Sequence, residues 1–187
     1  MNESAGQGTE ARGNPLRPWV WGGAVVLLLL PAIAMRLGAN GVQWGAADFL
    51  AFGTMLVVAC GLYELAARRS GNRSYRLAAG IAVATGFLTV WANLAVGMIG
   101  NEGNRFNLLF AGVLAVAVVG AVFARSRADG MARAMLAAGI AQALVVAAAF
   151  IDGRDMRGAL FTALFVAPWL LAAALFRVSA RKRVAGA

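Results

Sequence analysis

Apolar residues in this chain come in long blocks, not in the short periodic clusters of a soluble core. After a polar opening stretch, six blocks follow at about 18–35, 46–67, 77–99, 106–124, 131–151 and 158–178. Each is close to the roughly 20 residues with which an α-helix crosses bilayer hydrocarbon. The first begins at the interfacial pair Trp19 and Trp21 and carries Pro31 near its far end. The polar connections are short, which sets consecutive helices antiparallel beside one another. The pattern predicts an all-α membrane protein, a six-helix antiparallel transmembrane bundle over residues 18–178. A disordered cytoplasmic tail is expected at 1–17 and a basic cytoplasmic tail at 179–187.

Composition agrees with this. The chain is 61% hydrophobic and 13% charged, against about a quarter charged in soluble domains, and its mean hydropathy is +0.73. A net charge of +9 would suggest nucleic acid if it formed one patch in a soluble domain. Here the basic residues stand at the ends of apolar blocks, where they hold segments on the cytoplasmic side. With the amino terminus inside, the cytoplasmic stretches carry thirteen: Arg12, Arg17, Arg68, Arg69, Arg73, Arg76, Arg125, Arg127, Arg133, Arg177, Arg181, Lys182 and Arg183. The outer stretches carry four, Arg36, Arg105, Arg154 and Arg157, three of them near Glu102, Asp152 or Asp155. Both ends are therefore expected in the cytoplasm of a multi-pass inner-membrane protein, with the bilayer as partner and no nucleic acid. The excess of Arg over Lys, with abundant Ala and Gly, points to a GC-rich bacterial genome. Arg12, Arg17, Pro31 and Ala32-Ile33-Ala34 also fit a second reading, a cleaved signal peptide ahead of five helices.

A weak internal repeat is present. Residues 77–82 and 136–141 both read LAAGIA, an offset of 59, and the same offset pairs Leu50 with Leu109, Gly53 with Gly112, Gly61 with Gly120 and Arg68 with Arg127. Three helical hairpins are the periodicity this suggests.

Chemistry is sparse. The chain has no histidine, which excludes His-ligated metal or haem, Ser-His and Cys-His pairs and an imidazole proton shuttle. A single cysteine, Cys60, can form no internal disulfide. Neither a cofactor nor a metal site is expected. Asp129-Gly130-Met131-Ala132-Arg133 is similar to the D-G-x-x-A-R start of alcohol phosphatidyltransferases, but is one residue short and lacks the two downstream aspartates.

Polar residues at membrane depth are where function would be sought. On the third block Gly86, Asn93, Gly97 and Gly100 would share one helical face, with Asn93 as an inter-helix or ligand-binding amide. On the second, Gly53, Val57, Cys60 and Glu64 form a stripe, and Glu64 is followed at i+4 by Arg68 in the favourable order for an ion pair. Asp48 suits the start of that helix as a cap or dipole partner. Gln142 is placed to hydrogen-bond between helices, and Pro168 to bend the sixth helix and free the Leu164 carbonyl. The densest polar stretch runs from Trp91 through Asn93, Gly97, Gly100, Asn101, Glu102, Gly103, Asn104 and Arg105 to Asn107. Asn101, Gly103 and Asn104 suit a tight turn, Asn107 could cap the fourth helix, and Glu102 could pair with Arg105. The same residues, Trp91, Asn93, Gly97, Gly100, Glu102, Asn104, Arg105 and Asn107, are also the make-up of a small outward-facing binding site.

Through Trp91, Asn93-Leu94-Ala95-Val96-Gly97, Ile99-Gly100, Glu102, Asn104 and Asn107-Leu108, with Gly130-Met131-Ala132-Arg133-Ala134 downstream, the chain resembles a group of uncharacterised small multi-helix bacterial inner-membrane proteins. The resemblance covers residue 45 onward. It implies a multi-helix membrane protein and no assigned activity. Where that group has an Asp-Asn-Pro-like turn, this chain has Gly103-Asn104-Arg105. The leading functional class is a non-enzymatic membrane interaction or accessory protein, with a membrane-protein partner or a second copy of the chain as candidate partners. The alternative is a small-solute or ion carrier or channel with its polar site around Asn93. An enzyme using substrate-borne chemistry is third.

Overall fold

A computed structural model describes residues 16–185 except 40, 102 and 154. The tail expected at the amino terminus therefore lies almost wholly outside the described residues. The described chain folds as helices α1 (Arg17–Arg36), α2 (Ala46–Arg69), α3 (Arg73–Ala95), α4 (Asn107–Ala124), α5 (Ala128–Asp152), α6 (Met156–Ala163) and α7 (Val166–Ala185). Among the described residues six stretches are long and apolar enough to cross a membrane: α1 to α5, and α6 with α7 as one span from Met156 to Lys182.

Two boundaries depart from the sequence reading for physical reasons. The apolar run to Ile99 does not stay helical. Gly97 and Gly100 take left-handed φ of +71° and +70°, a region in which glycine carries no Cβ penalty, and α3 ends at Ala95. Gly97 and Gly100 therefore do not continue the helical face of Asn93; they lie in the loop beyond it. In the last span, Pro168 has no N–H to bond the Leu164 carbonyl, and the helix breaks there instead of bending. Leu164 N–H bonds Phe161 O at 3.2 Å and Phe165 N–H bonds Thr162 O at 3.1 Å, closing α6 with tightened turns. Pro168 then sits in the first turn of α7, where an N–H would have no helical acceptor.

Helices α5 and α7 form the centre of the bundle. α4 and α6 pack on α5, α3 on α7, α2 on α3, and α1 chiefly on α2. Contacts between neighbours pair falling with rising residue numbers. Asn93 meets Asn107, Gly86 faces Leu114, Gly120 faces Ala134, and Tyr75 meets Phe176. The centre holds Tyr75, Phe110, Trp169 and Phe176 among many alanines. Because lipid is as apolar as these side chains, close backbone approach is what favours the helix pairs. A Cβ added to Gly120 would lie 2.7 Å from Ala134 Cβ, and one added to Gly130 2.9 Å from Ala124 Cα. Gly130, within the transferase-like pentapeptide, is thus a packing residue between α4 and α5. By contrast α1 has no buried residue. In the two LAAGIA segments the third residue, Ala79 or Ala138, is buried in both, with Ala78 beside it in α3 and Gly139 in α5.

Candidate functional site

At the end of the bundle where α3 gives way to α4, the polar loop folds back onto the helices. Asn107 is the first residue of α4, yet its side chain does not cap that helix, as its position in the sequence suggests. Its Oδ1 accepts from Met98 N–H (3.1 Å) and Ile99 N–H (3.0 Å), and its Nδ2 donates to Asn101 O (2.7 Å). Asn107 is buried, and so are the apolar Met98 and Ile99 that it draws inward. Asn93 Nδ2 donates to the backbone carbonyl of Asn107 at 3.0 Å, tying the last turn of α3 to the first of α4. The tight turn forms as its residues suggest: Asn104 N–H reaches Asn101 O at 3.0 Å, Gly103 N–H reaches Asn101 Oδ1 at 3.1 Å, and Asn104 Oδ1 accepts from Phe106 N–H at 3.0 Å.

Asp155 completes this latch, a role that the sequence pattern does not indicate. One carboxylate oxygen accepts from Gly158 N–H at 2.9 Å, which caps α6, and the other accepts from Gly100 N–H at 2.6 Å. Those backbone donors, Gly158 first and Gly100 next, hold the carboxyl below its ordinary range against a smaller desolvation effect. A local signal exists for the first contact, since an Asp three residues before a Gly at a helix start reads as a cap. The second partner, 55 residues away in sequence, gives no local signal.

Of the candidate residues, the latch gathers Asn93, Gly100, Asn104 and Asn107. Gly97 supplies the turn into it. Arg105 is exposed, and Glu102 lies outside the described residues. Trp91 faces elsewhere, with its ring 5.9 Å from that of Phe52 on α2.

The remaining polar groups at membrane depth are separate. Glu64 accepts from Arg68 at 2.5 Å, pairs with Arg17 at 3.3 Å and accepts from the Trp21 indole N–H at 3.3 Å. With Cys60 bonding Val20 O and Gly53 meeting Leu28, the stripe read from α2 is the side that receives α1. Val57 alone of that stripe is largely exposed. Asp48 accepts from Gly45 N–H at 2.8 Å at the start of α2. Gln142 Nε2 donates to Thr162 O at 3.1 Å, beside the break, and not to the Leu164 carbonyl that the proline position suggests. Gln142 Oε1, Trp169 Nε1 and Ser179 Oγ are buried without a hydrogen-bond partner among the described residues. No three His, Cys, Asp or Glu side chains among the described residues lie close enough to hold a metal ion.

Below the latch, α3 and α4 diverge. α4 leans on α5, α2 stands on the other side of α3, and a groove of about 640 Å³ opens between α2 and α4. Val58 and Leu62 line one wall, Val118 and Val122 the other, and Ala82 and Phe87 lie along α3. Trp169 and Met135 form part of the floor. At one end stand Arg69, Arg125 and Ser126. Arg125 and Ser126 both have positive φ, 45° and 63°, a conformation that costs non-glycine residues about 1–3 kcal/mol each. Compared with known protein families, curated proteins and solved structures, the chain matches none.

Proposed function

We propose that the chain is a bacterial inner-membrane protein, a six-span antiparallel bundle with both ends cytoplasmic. In this reading it acts without enzymatic chemistry, by binding other components of the bilayer. One observation carries the functional part: the Asn93 and Gln142 amide nitrogens and the Glu64 carboxylate bond within the molecule, whereas its outward faces are apolar. Asn93 is bonded to the Asn107 carbonyl, Glu64 to Arg68, Arg17 and Trp21, and Gln142 to Thr162. A solute pathway normally needs several polar groups turned toward a wet cavity. Meanwhile α1 buries no residue, and α4 presents Val119 and Phe123, 52% and 81% exposed. The basic residues at the α2–α3 and α4–α5 turns support the orientation.

Two experiments test this. Reporter fusions at Gly71, Asp129 and the carboxyl terminus should read cytoplasmic, and fusions at Gly41, Gly103 and Gly153 periplasmic. An inverted pattern at two or more sites rejects the topology. Photo-crosslinking residues at Leu29 of α1 and Phe123 of α4 should capture discrete membrane components in cells. Solute uptake into proteoliposomes that is lost on Asn93→Leu would overturn the reading in favour of a carrier with an outward-facing site.

A further inference from the structure

We propose that the groove between α2, α3 and α4 holds one acyl chain of an anionic phospholipid, with the lipid phosphate at Arg69 and Arg125. This rests on the reading of the chain as a bilayer-embedded binding protein, and it names one component that the protein binds.

Size is the first support. At about 640 Å³ the groove falls within the roughly 300–1,000 Å³ of sites that hold a single small molecule. Length is the second. The lining runs from Thr54 to Arg69 on α2 and from Leu114 to Arg125 on α4. At 1.5 Å per residue these are roughly 22 Å and 16 Å, against about 15 Å for the hydrocarbon of one leaflet. A chain entering at the arginine end therefore reaches the bilayer midplane without leaving the groove.

Charge decides the occupant. The lining is apolar over most of its length and basic at one end only, where Arg69 and Arg125 come from different helices. An amphiphile with one negative head and one long tail matches that asymmetry. A helix of a second copy, apolar along its whole length, would leave both guanidinium groups without a complement. The ion pairs among the described residues join Glu64 to Arg17 and Arg68, so neither groove arginine is held by a carboxylate there. Guanidinium groups bind phosphate oxygens in a planar, two-bond geometry, and Ser126 adds a hydroxyl at the same mouth.

The test uses the full-length protein, taken from nanodiscs of equal phosphatidylglycerol and phosphatidylcholine and measured by native mass spectrometry. One phosphatidylglycerol should stay with each chain in preference to phosphatidylcholine. Arg69→Gln with Arg125→Gln should lower that preference roughly 25-fold, at about fivefold for each basic residue. Ala121→Phe fills the groove and should remove the bound lipid, whereas Val119→Phe on the outer face of α4 should not. Circular dichroism melts check that the variants fold. The parent protein alone can overturn the proposal, by retaining no lipid or by retaining both lipids equally. Lipid retention unchanged in folded Ala121→Phe overturns it as well. If photo-crosslinks at Phe123 still capture membrane proteins while no lipid is retained, the groove assignment alone fails; if neither is seen, the binding-protein reading fails with it.

Discussion

Toward α5, helix α4 presents Gly120 and Ala124, and the two backbones close until an added Cβ would have no room. Toward α3 it presents Leu114, Ala117, Val118 and Ala121, and the helices part into a groove. Both flanks are apolar, so hydrophobicity cannot be what separates them. Glycine opposite alanine allows interlocking contact on one side. On the other, α3 packs chiefly on α7, and α3 meets α4 at the asparagine latch and where Gly86 faces Leu114. In lipid, where apolar surface gains little by leaving its solvent, such steric detail sets which helices touch.

The largest effect should come from breaking the tight flank. We expect Gly120→Leu to lower stability by roughly 3 kcal/mol, the upper range for overpacking, seen as a depressed melting temperature in detergent. The adjacent change on the open flank, Ala121→Leu, should cost under about 0.5 kcal/mol. Equal losses would show that the flanks are alike. Next in size is Asn107→Ala. It strips the acceptor from Met98 and Ile99 N–H in a buried site, a loss of roughly 2 kcal/mol, and should speed hydrogen exchange at those two amides. Asn93→Leu removes one inter-helix hydrogen bond and should change stability by only about 0.6 kcal/mol, a difference measurable in the same melts.

The smallest effect concerns acid. The folded Asp155 carboxyl titrates below its unfolded value, so its contribution is complete above about pH 4, the ordinary aspartate value. It is lost as pH falls through the lower folded value. Exchange at the Gly100 amide should rise over that window, and Asp155→Asn should remove the pH dependence. A flat profile in the parent would mean that the carboxylate does not fasten the loop.

Legibility in the sequence differs by feature. The six spans can be read there, because an unbroken apolar block of nearly 20 residues has little use in a soluble fold. The end of α3 cannot: Val96, Met98 and Ile99 extend the hydropathy of the helix while belonging to the loop. Taking that run as helix also misplaces part of the candidate site, since Gly97 and Gly100 share a face with Asn93 only if the helix continues. Asn93 and Asn107 do stand out in the sequence as polar residues at the same end. Their bond joins a side chain to a backbone carbonyl, which no residue-type pattern encodes. The ion pair of Glu64 with Arg68 is visible as an i,i+4 pair, whereas Arg17 and Trp21 reach it from α1 and require the fold. The groove has no signature at all, because Ala and Val line its walls as they line the closed interfaces.

The bond from Gly100 to Asp155 also carries a consequence for synthesis. Its partners are 55 residues apart, and chains are made at roughly 5–20 residues per second. The loop after α3 must therefore wait on the order of 3–11 s after its own synthesis before the carboxylate that fastens it exists. During that interval Asn93 and Asn107 are already present, so synthesis order allows their bond to form before the carboxylate that fastens Gly100 exists.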